Sequence, residues 1–206
     1  MCFYISMKLN KKELEDNFDT KIVEGDYIEE GFVSGFAHPN VPIITDNNQS
    51  EIVLGNWGLI PFWAKNRDIQ KNTLNARIET ISEKPSFKNS IHKRCLVLVN
   101  GFYEWKWLDP KGKQKEKYFI HLDNGNKPFA LGGIYSLWTD KESGEQLKTF
   151  SIVTTEANEL MAEIHNTKYR MPVVLNKGAE KEWLNDRDIQ SFSFQNYNPN
   201  LNAVLV

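Results

Sequence analysis

Apolar and polar residues alternate along much of this chain, a pattern that predicts more strand than helix. Cys2 to Ser6 reads as a short strand running into the core. Lys11 to Phe18 is a charged segment with Leu14 and Phe18 at i, i+4, the spacing of a short amphipathic helix. Gly31 to Thr45 intersperses Phe32, Phe36, Val41, Ile43 and Ile44 with glycines and prolines, which predicts short strands and turns. Ile52 to Trp63 is strand-like and ends in the aromatic run Trp57-Gly58-Leu59-Ile60-Pro61-Phe62-Trp63. Leu96 to Trp107 is the clearest strand block. Lys117 to His121, Phe129 to Trp138 and Lys148 to Thr154 follow, divided by Asp109-Pro110-Lys111-Gly112, Asp123-Asn124-Gly125 and Ser143-Gly144. Thr155 to Ile164 reads as a helix, with Thr154 or Thr155 as its N-cap and Glu156 in its first turn. Met171 to Leu175 returns to strand, and Lys177 to Leu184 forms a last short helix.

Strands dominate, helices are peripheral, and no repeat or long linker interrupts the pattern. The expectation is α+β: one domain over residues 1–206 on a twisted or barrel-like antiparallel sheet, with the tail from about 185 docked or flexible. A chain of 206 residues can bury a sizeable core, and its net charge of −2 exerts no global pull on a polyanion. Any nucleic-acid site must therefore be a local basic surface. No secretory leader and no apolar run of membrane-spanning length is evident, so a cytoplasmic protein without a membrane partner is expected. In a reducing compartment Cys2 and Cys95 remain thiols; Cys95 lies in an apolar run and reads as a buried strand residue.

Cys2 changes the picture most. A small residue after Met1 favours removal of the initiator, which leaves an α-amine and a thiol on adjacent carbons. Such a 1,2-aminothiol condenses with an aldehyde to an imine and then closes a thiazolidine ring, and an amine pKa near ~8 leaves a nucleophilic fraction at neutral pH. The competing reading is a small buried residue on the first strand. Three further segments carry candidate chemistry. In Asn75-Ala76-Arg77-Ile78-Glu79-Thr80 the Arg77 fork suits a phosphate, and Asn75 is both donor and acceptor; the competing reading, favoured by the segment alone, is a solvated loop and helix start. In Gly101-Phe102-Tyr103-Glu104-Trp105 a carboxylate between aromatics gains a raised pKa if partly buried, or else is held in an ion pair. His165 lies where a helix gives way to a strand and either exchanges protons near neutrality or is structural. The spacing of the histidines suggests no metal site, and cofactor-free chemistry is the economical reading.

In chain order these segments resemble the SRAP (SOS response-associated peptidase) family, whose members include proteins that crosslink to abasic sites in single-stranded DNA. The resemblance rests on Met1-Cys2, Trp57 to Trp63, Asn75 to Thr80, Arg94-Cys95, Gly101 to Trp105, Thr154 to Asn158, Ile164-His165 and Arg170-Met171-Pro172-Val173. It implies a compact α+β domain around a distorted antiparallel β-barrel, acting as a monomer on abasic single-stranded DNA. It also implies roles. Cys2 attacks the ring-opened sugar, Asn75 holds Cys2 and the sugar, Glu104 is the general acid/base, and His165 shuttles the proton that opens the ring. Arg77 binds a flanking phosphate, Thr154 or Thr155 adds a hydroxyl near the phosphates, and Trp57, Pro61 and Trp63 shape the groove or pack beneath it. Weak lyase activity and self-removal of Met1 belong to the same expectation. A cysteine peptidase and a non-covalent single-strand binder are the alternatives.

The chain departs from the family at three places. Phe3 and Tyr4 stand where Gly-Arg is usual, and Asn166-Thr167-Lys168-Tyr169 lengthens the usual His-x-Arg spacing, which could shift His165. Asn100 replaces a different residue before Gly101, with little consequence expected. Lys168 and Arg170 are expected to replace the missing basic side chain in part.

Overall fold

The computed structural model describes residues 2–23 and 29–206, so Met1, whose removal the sequence predicts, lies outside the described residues. The strands are β1 (Tyr4–Met7), β2 (Lys21–Ile22), β3 (Glu30–Ser34), β4 (Asn40–Thr45), β5 (Asn48–Trp57), β6 (Asn75–Arg77) and β7 (Arg94–Val99). They continue as β8 (Gly101–Trp107), β9 (Lys115–Leu122), β10 (Phe129–Thr139), β11 (Gln146–Glu156), β12 (Arg170–Pro172), β13 (Val174–Leu175) and β14 (Leu201–Leu205). Three α-helices, α1 (Lys11–Phe18), α2 (Glu159–Ile164) and α3 (Lys177–Leu184), and five short 3-10 turns complete the set among the described residues.

Strands β5, β4, β7, β10 and β11 form a closed ring. Four of its seams are antiparallel, and a short parallel pairing of Asn56-Trp57 with Thr149-Phe150 shuts the fifth. The fold is thus the α+β barrel architecture expected, with closure supplied by the one parallel seam. Ile43, Val97, Leu131, Phe150 and Ile152 are buried in the same apolar cluster as Ile5 and Phe102 of a second sheet, ordered β14-β9-β8-β1-β3. This second sheet packs one face on the barrel. A second cluster, which includes Leu96, Leu98, Ala130, Ile134, Leu14 of α1 and Trp183 of α3, lies on the barrel's other flank.

Helix α1 has the bounds the periodicity predicts, because Asn10 and Glu13 form a reciprocal capping box. The block 96–107 divides into two strands at Asn100, whose side chain accepts from Lys8 N and ties the break to the end of β1. The N-cap of α2 needs correction. Neither Thr154 nor Thr155 caps it, because both are paired with β12 inside β11; Asn158 does so, accepting from Met161 N. The tail after Asn185 returns to the sheet, where β14 pairs with β9.

Candidate active site

Cys2 lies two residues before β1 and is fully buried. Its side chain lies in the core cluster that joins the second sheet to the barrel. Asn75 reaches it from the barrel side: short β6 pairs in parallel with β11, and Asn75 Nδ2 donates to the Cys2 carbonyl at 2.9 Å. Because that carbonyl can only accept, the bond settles which end of the amide is which. Asn75 Oδ1 is buried and has no hydrogen-bond donor among the described residues. One amide atom positions Cys2, and the other remains able to accept.

Glu104 comes from β8, where Tyr103 pairs with Tyr4 and Phe102 with Ile5, so it lies level with the residues just before β1. Alternation sends Tyr103 and Trp105 outward and Glu104 inward, where it is only 6% exposed. Burial pushes its carboxyl up to about 7. Burial likewise pushes the Cys2 thiol far above the ordinary thiol range, and the charge of Glu104 adds to the effect. The thiol is therefore neutral at physiological pH.

His165 closes α2, and its Nδ1 lies 2.8 Å from the Arg170 carbonyl. A carbonyl only accepts, so Nδ1 carries the proton and Nε2 presents its lone pair, 3.9 Å from Glu104 Oε2. Burial pushes the imidazole down to about 4, partly opposed by the Arg170 carbonyl, and the ring is neutral at pH 7. A carboxyl that is half protonated near neutrality thus faces a neutral base.

The lengthened loop does not carry His165 away. Tyr169 adopts the left-handed conformation, its N–H and that of Lys168 both donate to the His165 carbonyl, and the chain turns back so that Arg170 meets the ring. Asn166 anchors the turn by donating to the Trp107 carbonyl at 2.9 Å and accepting from Trp107 N at 3.1 Å.

The residues expected at DNA divide into two groups. Arg77 is exposed at the end of β6 beside Thr154, and Trp63 and its neighbour Phe62 are 46% and 63% exposed. Trp57 is fully buried, with its indole N–H donated to the Leu74 carbonyl, and Pro61 is buried too. Gly58 lets the chain turn away after Trp57: its φ is +117°, and a Cβ there would meet His38 Nδ1 at 2.9 Å. Thr155 Oγ1 accepts from Phe194 N. Arg170 is held inward, its fork bound bidentately by Glu79 at 2.8 and 2.8 Å and its Nη2 also donating to the Thr154 carbonyl and hydroxyl. Its guanidinium is accordingly not a substitute for a missing surface arginine, and Lys168 is the exposed cation of that pair. Glu79, Asn158 and Asn166 were not singled out by the sequence. For Glu79 the available signal was an acid two residues after Arg77 in a segment already marked.

Glu104 and His165 shift stability with pH in opposite senses. Between the ordinary carboxylate range and about pH 7 the folded chain keeps the Glu104 proton that the unfolded chain releases, so stability falls as pH rises. Between about pH 4 and the ordinary histidine range the unfolded chain binds the extra proton, so stability rises with pH. Glu104→Gln removes only the first slope. Urea midpoints should show the variant more stable than the parent at pH 8, with that advantage gone at pH 4; an equal difference at both pH values would contradict the raised carboxyl.

Among the described residues no helix is long and apolar enough to cross a membrane, and no group of three or more His, Cys, Asp and Glu side chains could hold a metal ion. A family model described as SOS response associated peptidase (SRAP) matches residues 1–204. The abasic site processing protein YoqW of Bacillus subtilis is 42% identical over 177 residues, covering 81% of this chain and 76% of that protein. The abasic site processing protein HMCES of Gallus gallus is 34% identical over 169 residues, 70% of this chain and 48% of the longer avian protein. A crystal structure of a protein from Bacteroides thetaiotaomicron superposes with a TM-score of 0.86 at 36% identity, over 100% of this chain and 92% of that one.

Proposed function

The chain belongs to the SOS response associated peptidase family, and from that premise we propose that it traps abasic sites in single-stranded DNA covalently through Cys2. The observation that carries this reading is the convergence on Cys2 of side chains from separate elements, Asn75 of β6 and Glu104 of β8, with His165 of the α2 terminus facing Glu104. Curated relatives named abasic site processing proteins support the same substrate.

The order of events follows from the charge states. With Met1 removed, the Cys2 amine adds to the aldehyde of the ring-opened deoxyribose and forms a carbinolamine. Glu104, protonated to a useful extent near pH 7, donates a proton to the departing hydroxyl, and water leaves the imine behind. The neutral Cys2 sulfur then adds to the imine carbon, the thiol proton passes to nitrogen, and the thiazolidine closes. One water is lost in all. Because burial holds the thiol neutral, the sulfur must give up its proton as it adds to the imine carbon. An imine that fails to close its ring is open to β-elimination, the source of a weak lyase activity.

His165 Nε2 is the proton acceptor that opens the closed sugar, since its Nδ1–H is committed to the Arg170 carbonyl. Asn75 Oδ1 accepts from the amine or a sugar hydroxyl. Arg77 pairs with a flanking phosphate, while exposed Trp63 and Phe62 border the path of the strand.

Intact mass after incubation with a single-stranded oligonucleotide bearing one abasic site tests this. The expected product is the chain without Met1 plus the oligonucleotide minus one water, stable to denaturation. A processed chain that yields no adduct would overturn the reading.

A further inference from the structure

The outward face of the β14-β9-β8-β1-β3 sheet carries aromatic side chains that the chemistry at Cys2 does not use. Register aligns Tyr4, Tyr103 and Phe119 in one row across β1, β8 and β9. Tyr4 stacks on Phe32 at 5.0 Å and meets Trp105 edge-on at 4.9 Å. Phe36 lies 4.8 Å from Phe3, the residue after Cys2. Phe119 covers Gly101, where a Cβ would fall 2.1 Å from its ring. These rings are not sealed from solvent: Phe32 and Phe36 are 40% and 54% exposed, and Tyr4, Tyr103, Trp105 and Phe119 are half-buried.

Among the described residues the charges in contact with these rings are lysines. Lys117 lies 4.4 Å from the Phe32 ring and 4.3 Å from the Tyr103 ring, and Lys115 lies 4.6 Å from Trp107. The acids of β8 and β9, Glu104 and Glu116, alternate to the other side, and Glu30 stands at the margin where β3 begins. Rings with open π faces beside lysines fit nucleobases on an anionic backbone, the chemistry of sheet platforms for single strands. The face is also continuous with the site. Phe3 and Tyr4 follow Cys2 directly, and Tyr103 and Trp105 flank Glu104.

We propose that this face, centred on Tyr4, Phe32, Phe36 and Trp105, is a stacking platform for bases of the single strand beside the abasic site. This rests on the covalent reading of Cys2, since the lesion fixes where the strand enters. The platform recognises flanking bases by their π faces and carries no code for their sequence.

The test compares two labelled single strands of equal length, each with a central tetrahydrofuran that lacks the aldehyde. One has thymidine flanks and the other baseless spacers with the same phosphates. Anisotropy should show the parent preferring the thymidine strand by at least about five-fold, the lower end for one stacked base. Phe32→Ser/Phe36→Ser should erase that preference, as should Phe32→Leu/Phe36→Leu, which keeps apolar area without a ring. The salt dependence, set by phosphates, should stay the same. No base preference in the parent, or a preference both variants retain, overturns the platform. Concentration-dependent dimerisation that the serine variant abolishes would assign the face to a second copy and also overturn it. The parent is given the aldehyde-bearing strand in parallel. An adduct without base preference overturns the platform alone, whereas no adduct overturns the reading beneath it and the platform together.

Discussion

Cys2→Ala is expected to abolish the denaturation-stable DNA adduct while leaving binding to an abasic oligonucleotide nearly unchanged. Alanine is also small enough for an aminopeptidase to remove Met1 ahead of it, so on the processed variant the α-amine is kept, the first bond still forms and water still leaves. What it lacks is the sulfur that closes the ring. Borohydride should therefore trap an imine on the variant, and strand cleavage by β-elimination should rise, because the intermediate is no longer withdrawn into the thiazolidine. Gel mobility after denaturation, with and without borohydride, reads both effects. The core around Cys2 is closely packed, so a modest loss of stability accompanies the change, on the order of 1 kcal/mol for a group of this size. A stable adduct on Cys2→Ala would show that another nucleophile carries the bond and would end the aminothiol mechanism.

Glu104→Gln is expected to slow adduct formation by about a hundred- to ten-thousand-fold, the usual contribution of a placed general acid. The amide keeps the size and polarity of the side chain and removes its proton. The pH profile separates this loss from a packing defect. In the parent, two opposed requirements shape the rate: a neutral amine, favoured as pH rises toward ~8, and a protonated Glu104, lost as pH rises through about 7. The profile should be bell-shaped. In Glu104→Gln the falling limb should vanish and a slow rate should rise with pH alone. A parallel profile merely displaced downward would mean that Glu104 shapes the site without donating its proton.

His165, the third of these residues, depends on geometry that spans the chain. His165 is held in one tautomer by the Arg170 carbonyl, and Arg170 is held by Glu79, 91 residues away in sequence. The longer loop between His165 and Arg170 is neutral in this respect, because its turn brings the carbonyl to the ring and Asn166 secures it on Trp107.

Much of the fold was legible from local pattern. Helices α1 and α3 occupy the spans predicted for them, and most strand blocks lie where alternation placed them, although the strand expected over Ile52 to Trp63 ends at Trp57, after which Gly58 turns the chain away. These features depend on contacts within a few residues: an apolar face at helical spacing, a capping Asn, a turn rich in Gly and Asp. The chemistry expected of Cys2 was legible for the same reason, since removal of Met1 alone would leave an amine and a thiol on adjacent carbons. That Glu104 faces away from Tyr103 and Trp105 follows from alternation once the strand is granted, but that its side is the buried one was decided by the packing of the second sheet on the barrel.

Tertiary structure alone decided which polar groups were already spent. Thr155 is occupied by Phe194 N, and Arg170 by Glu79 and Thr154, although each taken alone suits a phosphate. Asn75 turns toward Cys2 across 73 residues because a short parallel pairing with β11 places it there. The same kind of distant pairing closes the barrel between β5 and β11. A buried donor or acceptor must find a partner, and which one it finds is settled by every neighbour that folding brings near. Local sequence determines what each side chain can do; the competition for partners inside the folded chain determines what it is left able to do.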